Sequence, residues 1–151
     1  MSDRTVELRD AEATDAAGRA LAKVLRAGDV IALSGDLGAG KTSLARGLLA
    51  ALGLADEAPS PSYAIVIPYE PPQVRLPVWH VDLYRLDDPE EAAELGLDDA
   101  LLDGALVIEW PERLGWFWPE TMRLHIHVPE SGPRRLTATV PPSWEERWPF
   151  P

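Results

Sequence analysis

Residues 35–42 read Gly35-Asp36-Leu37-Gly38-Ala39-Gly40-Lys41-Thr42, a G-x-x-x-x-G-K-[ST] motif without a mismatch. The apolar run Val30-Ile31-Ala32-Leu33 leads into it, and Ser43 to Leu52 follows with helical spacing. Strand, loop and helix in that order give the pattern its physical meaning. A glycine-rich turn aims its backbone N–H groups inward, and the next helix brings its positive end to the same point. Such a nest holds the phosphates of a nucleoside triphosphate. Lys41 then reaches the β and γ phosphates, and the Thr42 hydroxyl faces Mg²⁺.

Lysine usage points the same way. Of fourteen basic residues only Lys23 and Lys41 are lysines. A compact ammonium fits inside a phosphate-wrapping loop where a planar guanidinium does not.

With 151 residues, 46% of them hydrophobic, the chain can bury a real core and reads as one domain, residues 1–151, with 141–151 an irregular Pro- and Trp-rich tail. It contains no cysteine, which excludes disulfides and thiolate metal sites. No run of about eighteen apolar residues is present and Met1-Ser2-Asp3-Arg4 does not resemble a signal peptide, so a cytoplasmic protein without membrane contact is expected. The net charge of −11 leaves no basic stripe for gripping nucleic acid directly.

Along the chain, Arg4–Leu8 alternates like a strand, and Ala11–Leu25 has helical spacing with Gly28 placed to end it. A strand is expected at Tyr63–Ile67, then a proline-rich hairpin or excursion at 68–77. Val78–Leu83 is an apolar run with Asp82 near its end, and Asp88-Pro89-Glu90-Glu91 reads as a capped helix start. Ala105–Ile108, closed by Glu109, reads as a buried parallel strand. Arg123–Val128 and Leu136–Val140 form a terminal antiparallel hairpin about Ser131-Gly132-Pro133. This order implies a three-layer α/β P-loop NTPase fold, its central sheet mostly parallel with a C-terminal antiparallel hairpin. Ligands of such sheets sit at the carboxyl ends of the strands, which selects Asp82 and Glu109 as carboxylates for the metal site.

Four further motifs surround the phosphate loop: Ser60-Pro61-Ser62-Tyr63, His80-Val81-Asp82-Leu83-Tyr84-Arg85-Leu86, Asp88-Pro89-Glu90-Glu91 and Glu109-Trp110-Pro111-Glu112. In this order and spacing the chain resembles the TsaE (YjeE) family, the small bacterial ATPases of tRNA threonylcarbamoyladenosine biosynthesis. The resemblance implies that Leu37, Gly38, Ala39, Gly40, Lys41 and Thr42 wrap the phosphates, with Gly35 and Ser43 bounding the loop. It implies Thr42 and Glu109 as Mg²⁺ ligands. Asp82 would stand near the γ-phosphate, ordering the metal shell or the attacking water, with Lys41 as the other catalytic group. Ser60–Tyr63 would be a switch segment, its Ser62 standing where the family usually has Thr. The family's Gly-Arg pair is interrupted here by Pro133, so no nucleotide contact is assigned to that turn. ATP and Mg²⁺ are the implied cofactors and the TsaB and TsaD proteins the implied partners. The tRNA is then met only through those partners, and self-association is left open. Arg85 is the nearest arginine-finger candidate, although a salt-bridge role is the favoured reading, so hydrolysis by the isolated chain is expected to be slow.

A small P-loop metabolite kinase is the alternative, weakened by scattered arginines and the acidic stretch Asp87–Glu94. A GTPase is disfavoured because the chain has no asparagine for an Asn-Lys-x-Asp guanine motif. A nucleotide-gated binding module overlaps with the family reading. His125 and His127 share a strand face and are read as exposed rather than metal-binding. For His80, site contact and strand packing weigh equally. Trp110 is read as core packing, with shielding of the metal site as the other role. The Trp116-Phe117-Trp118 cluster, Trp144 and Trp148 fit either core or partner surface.

Overall fold

The computed structural model of the chain describes residues 1–61 and 65–151. The chain runs β1 (Ser2–Leu8), α1 (Ala11–Val24), β2 (Val30–Ser34), α2 (Lys41–Ala51), β3 (Val66–Tyr69), β4 (Val78–Asp82), α3 (Pro89–Ala93), α4 (Leu97–Ala100), β5 (Ala105–Glu109), a 3₁₀ turn (Pro111–Arg113), β6 (Met122–His127), β7 (Arg134–Val140) and α5 (Pro142–Glu145). The strands form one sheet in the order β1-β7-β6-β2-β5-β4-β3. Its centre, β6-β2-β5-β4, is parallel, while β7 pairs antiparallel with β6, β1 antiparallel with β7, and β3 antiparallel with β4.

The central strands are apolar throughout because both their faces are covered. Ile31, Leu33, Val78 and Val107 face α1 and α2, whereas Val30, Val81, Leu106 and Ile108 face α3, α4 and the 3₁₀ turn. Burying each such side chain contributes about 1.5–3 kcal/mol. In β6 the pattern changes: Met122, Leu124 and Ile126 are buried under the helices while Arg123, His125 and His127 are exposed. The sheet therefore has a doubly covered centre and a wing, β1-β7-β6, open on one side.

Helix α1 starts at Asp10, whose carboxylate accepts the Ala13 N–H at 2.8 Å. It crosses α2 at backbone contact. A Cβ on Gly18 would lie 2.0 Å from the Leu44 carbonyl oxygen, and one on Gly47 would lie 2.4 Å from that of Asp15. This crossing fixes α2, and with it the loop that opens α2.

Three sequence expectations are corrected in detail. Gly28 does not end α1; Leu25 is already extended, and Gly28 shapes the following turn, its N–H bonding the Gly104 carbonyl at 2.7 Å. Of the strand expected at Tyr63–Ile67, residues 63 and 64 lie outside the described residues and Ile65 is a bend. Strand β3 takes in Val66 and Ile67 and continues to Tyr69, because Pro68 and Tyr69 keep pairing with β4 in the hairpin. In the tail, α5 is too short for its period to be read from sequence. Its Trp144 is fully buried, and Arg147 makes a two-pronged pair with Asp29 at 2.8 and 3.0 Å.

Candidate functional site

The phosphate loop lies between the end of β2 and the start of α2. Gly35 turns the chain with φ +144°, and a Cβ there would come within 2.7 Å of the Ile126 carbonyl oxygen. Only glycine lets the loop pass that close to β6. The loop opens on a cavity of about 220 Å³ lined by Leu37, Gly38, Gly40, Lys41, Thr42, Ser43, Asp82, Glu109, Trp110 and Arg134. Gly35 and Ala39 shape the loop from behind: Gly35 through its carbonyl, Ala39 as a buried side chain.

Strand parity explains how the acids meet the loop. His80 and Asp82 are two apart on β4, so they share a face, and Asp82 is the register partner of Glu109 on β5. All three turn toward the side on which α2 packs. Asp82 and Glu109 are 4% and 2% exposed, rare for carboxylates without a task. The Thr42 hydroxyl donates to Glu109 Oε1 and Oε2 at 2.9 and 3.2 Å. Asp82 Oδ1 accepts the Tyr84 N–H at 2.9 Å. A hydroxyl beside two buried carboxylates is a hard-oxygen donor set of the kind Mg²⁺ prefers.

Lys41 is buried as well. Its ammonium donates to the Gly35 carbonyl and, at 3.0 Å, to that of Asp36, and sits 4.2 Å from the centre of the Trp110 ring. Burial pulls its pKa below the ordinary 10.5, against the opposing pull of Glu109, Glu112, Asp82 and Asp36. Trp110 reaches this position through a left-handed backbone, φ 60° and ψ 49°, which costs a non-glycine residue roughly 1–3 kcal/mol. Its ring, 4.8 Å from that of Tyr84, roofs the lysine, so shielding and packing are combined in one side chain.

Arg134 is the residue that sequence reasoning set aside. Its Nη1 donates to the Ala39 carbonyl at 2.7 Å, and it lines the cavity from the first residue of β7. The signal lay in topology: β6 lies beside β2, so the hairpin that returns from β6 delivers β7 to the loop. Arg85, three residues past Asp82, is exposed and lies outside the cavity lining. Ser62 and Tyr63 of the expected switch segment lie outside the described residues. His125 and His127 are exposed, and His125 Nδ1 sits 2.8 Å from the Ser34 hydroxyl.

The family model described as "Threonylcarbamoyl adenosine biosynthesis protein TsaE" matches residues 8–136. The chain belongs to the TsaE family. The Synechocystis sp. TsaE protein is 43% identical over 122 residues, 76% of this chain and 75% of its own length. The Treponema pallidum TsaE protein is 34% identical over 131 residues, 85% of this chain and 95% of its own. The crystal structure of Bacillus subtilis YdiB superposes with a TM-score of 0.80 at 27% identity, covering 97% of this chain and 90% of that one. As a TsaE family member, the chain is a protein of tRNA threonylcarbamoyladenosine biosynthesis. No helix among the described residues is long and apolar enough to cross a membrane.

Proposed function

We propose that this TsaE-family chain binds and hydrolyses Mg·ATP at the phosphate loop and uses that cycle to act on the TsaB–TsaD pair in the cytoplasm. The observation that carries the reading is the convergence of Lys41, Thr42, Asp82 and Glu109 on one cavity at the carboxyl ends of parallel strands. The backbone N–H groups of Gly38 to Ser43 take the phosphates, helped by the positive end of α2. Lys41 exchanges its carbonyl partners for phosphate oxygens, an exchange favoured because the anion satisfies a charge that burial now penalises. Thr42 and Glu109 hold Mg²⁺, which when bound neutralises charge building on the β and γ phosphates. Asp82, fixed by the Tyr84 amide, orients the attacking water and receives its proton. Trp110 keeps bulk water off Lys41. Arg134 donates to the loop carbonyl of Ala39 beside Gly40 and steadies the loop. Hydrolysis by the free chain is accordingly slow and rises when the partners bind. The tRNA is held by those partners, consistent with the −11 net charge here.

The test is threonylcarbamoyladenosine synthesis on tRNA under multiple turnover with TsaB–TsaD and threonylcarbamoyl-adenylate. It compares wild type, Glu109→Ala and no added chain. Wild type should sustain turnover while the variant, still binding ATP, should not. Equal yields in all three, or ATP turnover indifferent to TsaB–TsaD, would sink the proposal.

A further inference from the structure

Glu109 has a second donor besides Thr42. His80, fully buried on β4, places Nε2 2.6 Å from Glu109 Oε2. Its other ring nitrogen, Nδ1, is buried with no hydrogen-bond partner among the described residues. A histidine kept only for packing would leave two polar atoms to satisfy, and an unmade bond costs about 1–3 kcal/mol. Here one nitrogen goes unsatisfied while the other makes a short contact to the carboxylate that faces the metal position. A carboxylate oxygen only accepts, so the 2.6 Å contact requires a proton on Nε2, donated to Oε2.

The consequence is a division of labour within one carboxylate. Oε2 is held at 2.6 Å by the ring from within the sheet and lies 3.2 Å from the Thr42 hydroxyl, while Oε1 meets that hydroxyl at 2.9 Å at the cavity wall. A glutamate side chain has three rotatable bonds, and Lys41 carries an opposite charge in the same cavity. Glu109 heads the acids whose charge acts on Lys41, yet its carboxylate pairs with His80 and Thr42, and no Lys41–Glu109 ion pair is found among the described residues. Strand pairing on both sides of β4 fixes the backbone of His80, which is register partner to Ile67 on β3 and to Val107 on β5.

We infer that His80 is a positioning residue: its Nε2–H anchors Glu109 Oε2, keeping the carboxylate off Lys41 and aimed with Thr42 at Mg²⁺. This deepens the metal reading proposed above and rests on it. Partners of this kind behind a metal ligand typically change metal affinity about 10–100-fold when removed.

The experiment measures binding of a fluorescent ADP to the intact chain in EDTA and across a Mg²⁺ series, with thermal unfolding as the folding control. His80→Leu should raise the Mg²⁺ concentration for half-maximal effect about tenfold or more while affinity in EDTA stays within about threefold. His80→Gln, which retains an N–H donor at similar reach, should recover most of that loss. In a Glu109→Gln background His80→Leu should add nothing. A folded His80→Leu with an unchanged Mg²⁺ requirement, or an effect undiminished in that background, overturns the inference. If His80→Leu does not fold, His80→Gln is compared with His80→Asn, whose donor is too short to reach; equal Mg²⁺ requirements then overturn it. A wild type whose affinity ignores Mg²⁺ overturns the metal role of Glu109 itself, and a normal wild type with unaffected His80 variants overturns this inference alone.

Discussion

The centre of the sheet and its β1-β7-β6 wing are built from the same elements and put to different use. In the centre both faces are packed, so a charged side chain first stands past the last apolar residue of a strand, and the one histidine within β4, His80, is paired to such a residue. Asp82 and Glu109 stand there, opposite one another, facing the phosphate loop and the first turn of α2. In the wing one face is packed and the other is open, so polar residues alternate along the whole strand. Arg123, His125 and His127 are spread over a surface and do not converge. That open face carries a cavity of its own, about 270 Å³, lined among others by Ser34, Phe117, Arg123, His125 and Thr137. Size therefore does not pick out the functional cavity. What distinguishes the smaller one is buried charge: Lys41, Asp82 and Glu109 are all at most 5% exposed.

The two faces of β6 show the contrast within one strand. Leu124 and its neighbour His125 point to opposite faces of β6, one 1% exposed and the other open to water. Leu124→Ala should cost about 2–5 kcal/mol in denaturant unfolding, with ATP affinity intact well below the transition. A loss of affinity equal to the loss of stability would mean that the wing and the site are one unit.

A second, smaller effect belongs to the centre alone. Burial holds the free chain's Lys41 below 10.5, and bound phosphates raise it by favouring the ammonium. Affinity is then fully present below the free-chain value and is lost as pH rises toward the bound-state value. Within that window it should fall by up to about tenfold per pH unit, beginning below pH 10.5. Titrations of ATP binding from neutral to alkaline pH, kept below the onset of unfolding, read this directly. A decline that begins only above pH 10.5 would mean that Lys41 is not the buried cation at the phosphates.

The smallest effect is expected on the open face. His125→Ala should change stability by no more than about 0.5 kcal/mol and leave ATP affinity unchanged. A larger loss would show that the Ser34–His125 contact at 2.8 Å ties the wing to the loop.

Much of the centre was legible in the sequence because it obeys local rules. Continuous apolar runs marked the buried strands, the acid after each run marked its carboxyl end, and glycine spacing marked the loop. Asp88 capping the Glu90 N–H at 3.0 Å was equally local. What escaped depends on which strands become neighbours. Arg134 follows a turn that looked interrupted by Pro133, yet the placement of β6 beside β2 brings it to Ala39. His80 was balanced between packing and site contact because strand parity gives its face but not its partner; only the β4–β5 pairing supplies Glu109. The Trp110 contact with Lys41 needed a left-handed residue that tryptophan rarely adopts, which no propensity would suggest. The tail was missed for a simpler reason: its order comes from the burial of Trp144 and the Arg147–Asp29 pair, not from any repeat.

The most direct measurement is amide hydrogen exchange of the chain with and without saturating Mg·ATP, resolved to short peptides. New protection is expected over the loop and the start of α2, residues 35–43, with a smaller gain at the end of β5. Peptides of β6 and β7 beyond Arg134 should be unchanged. Protection concentrated on Arg123–His127 and Thr137–Thr139, with the loop unaffected, would put the ligand on the open wing and contradict the assignment.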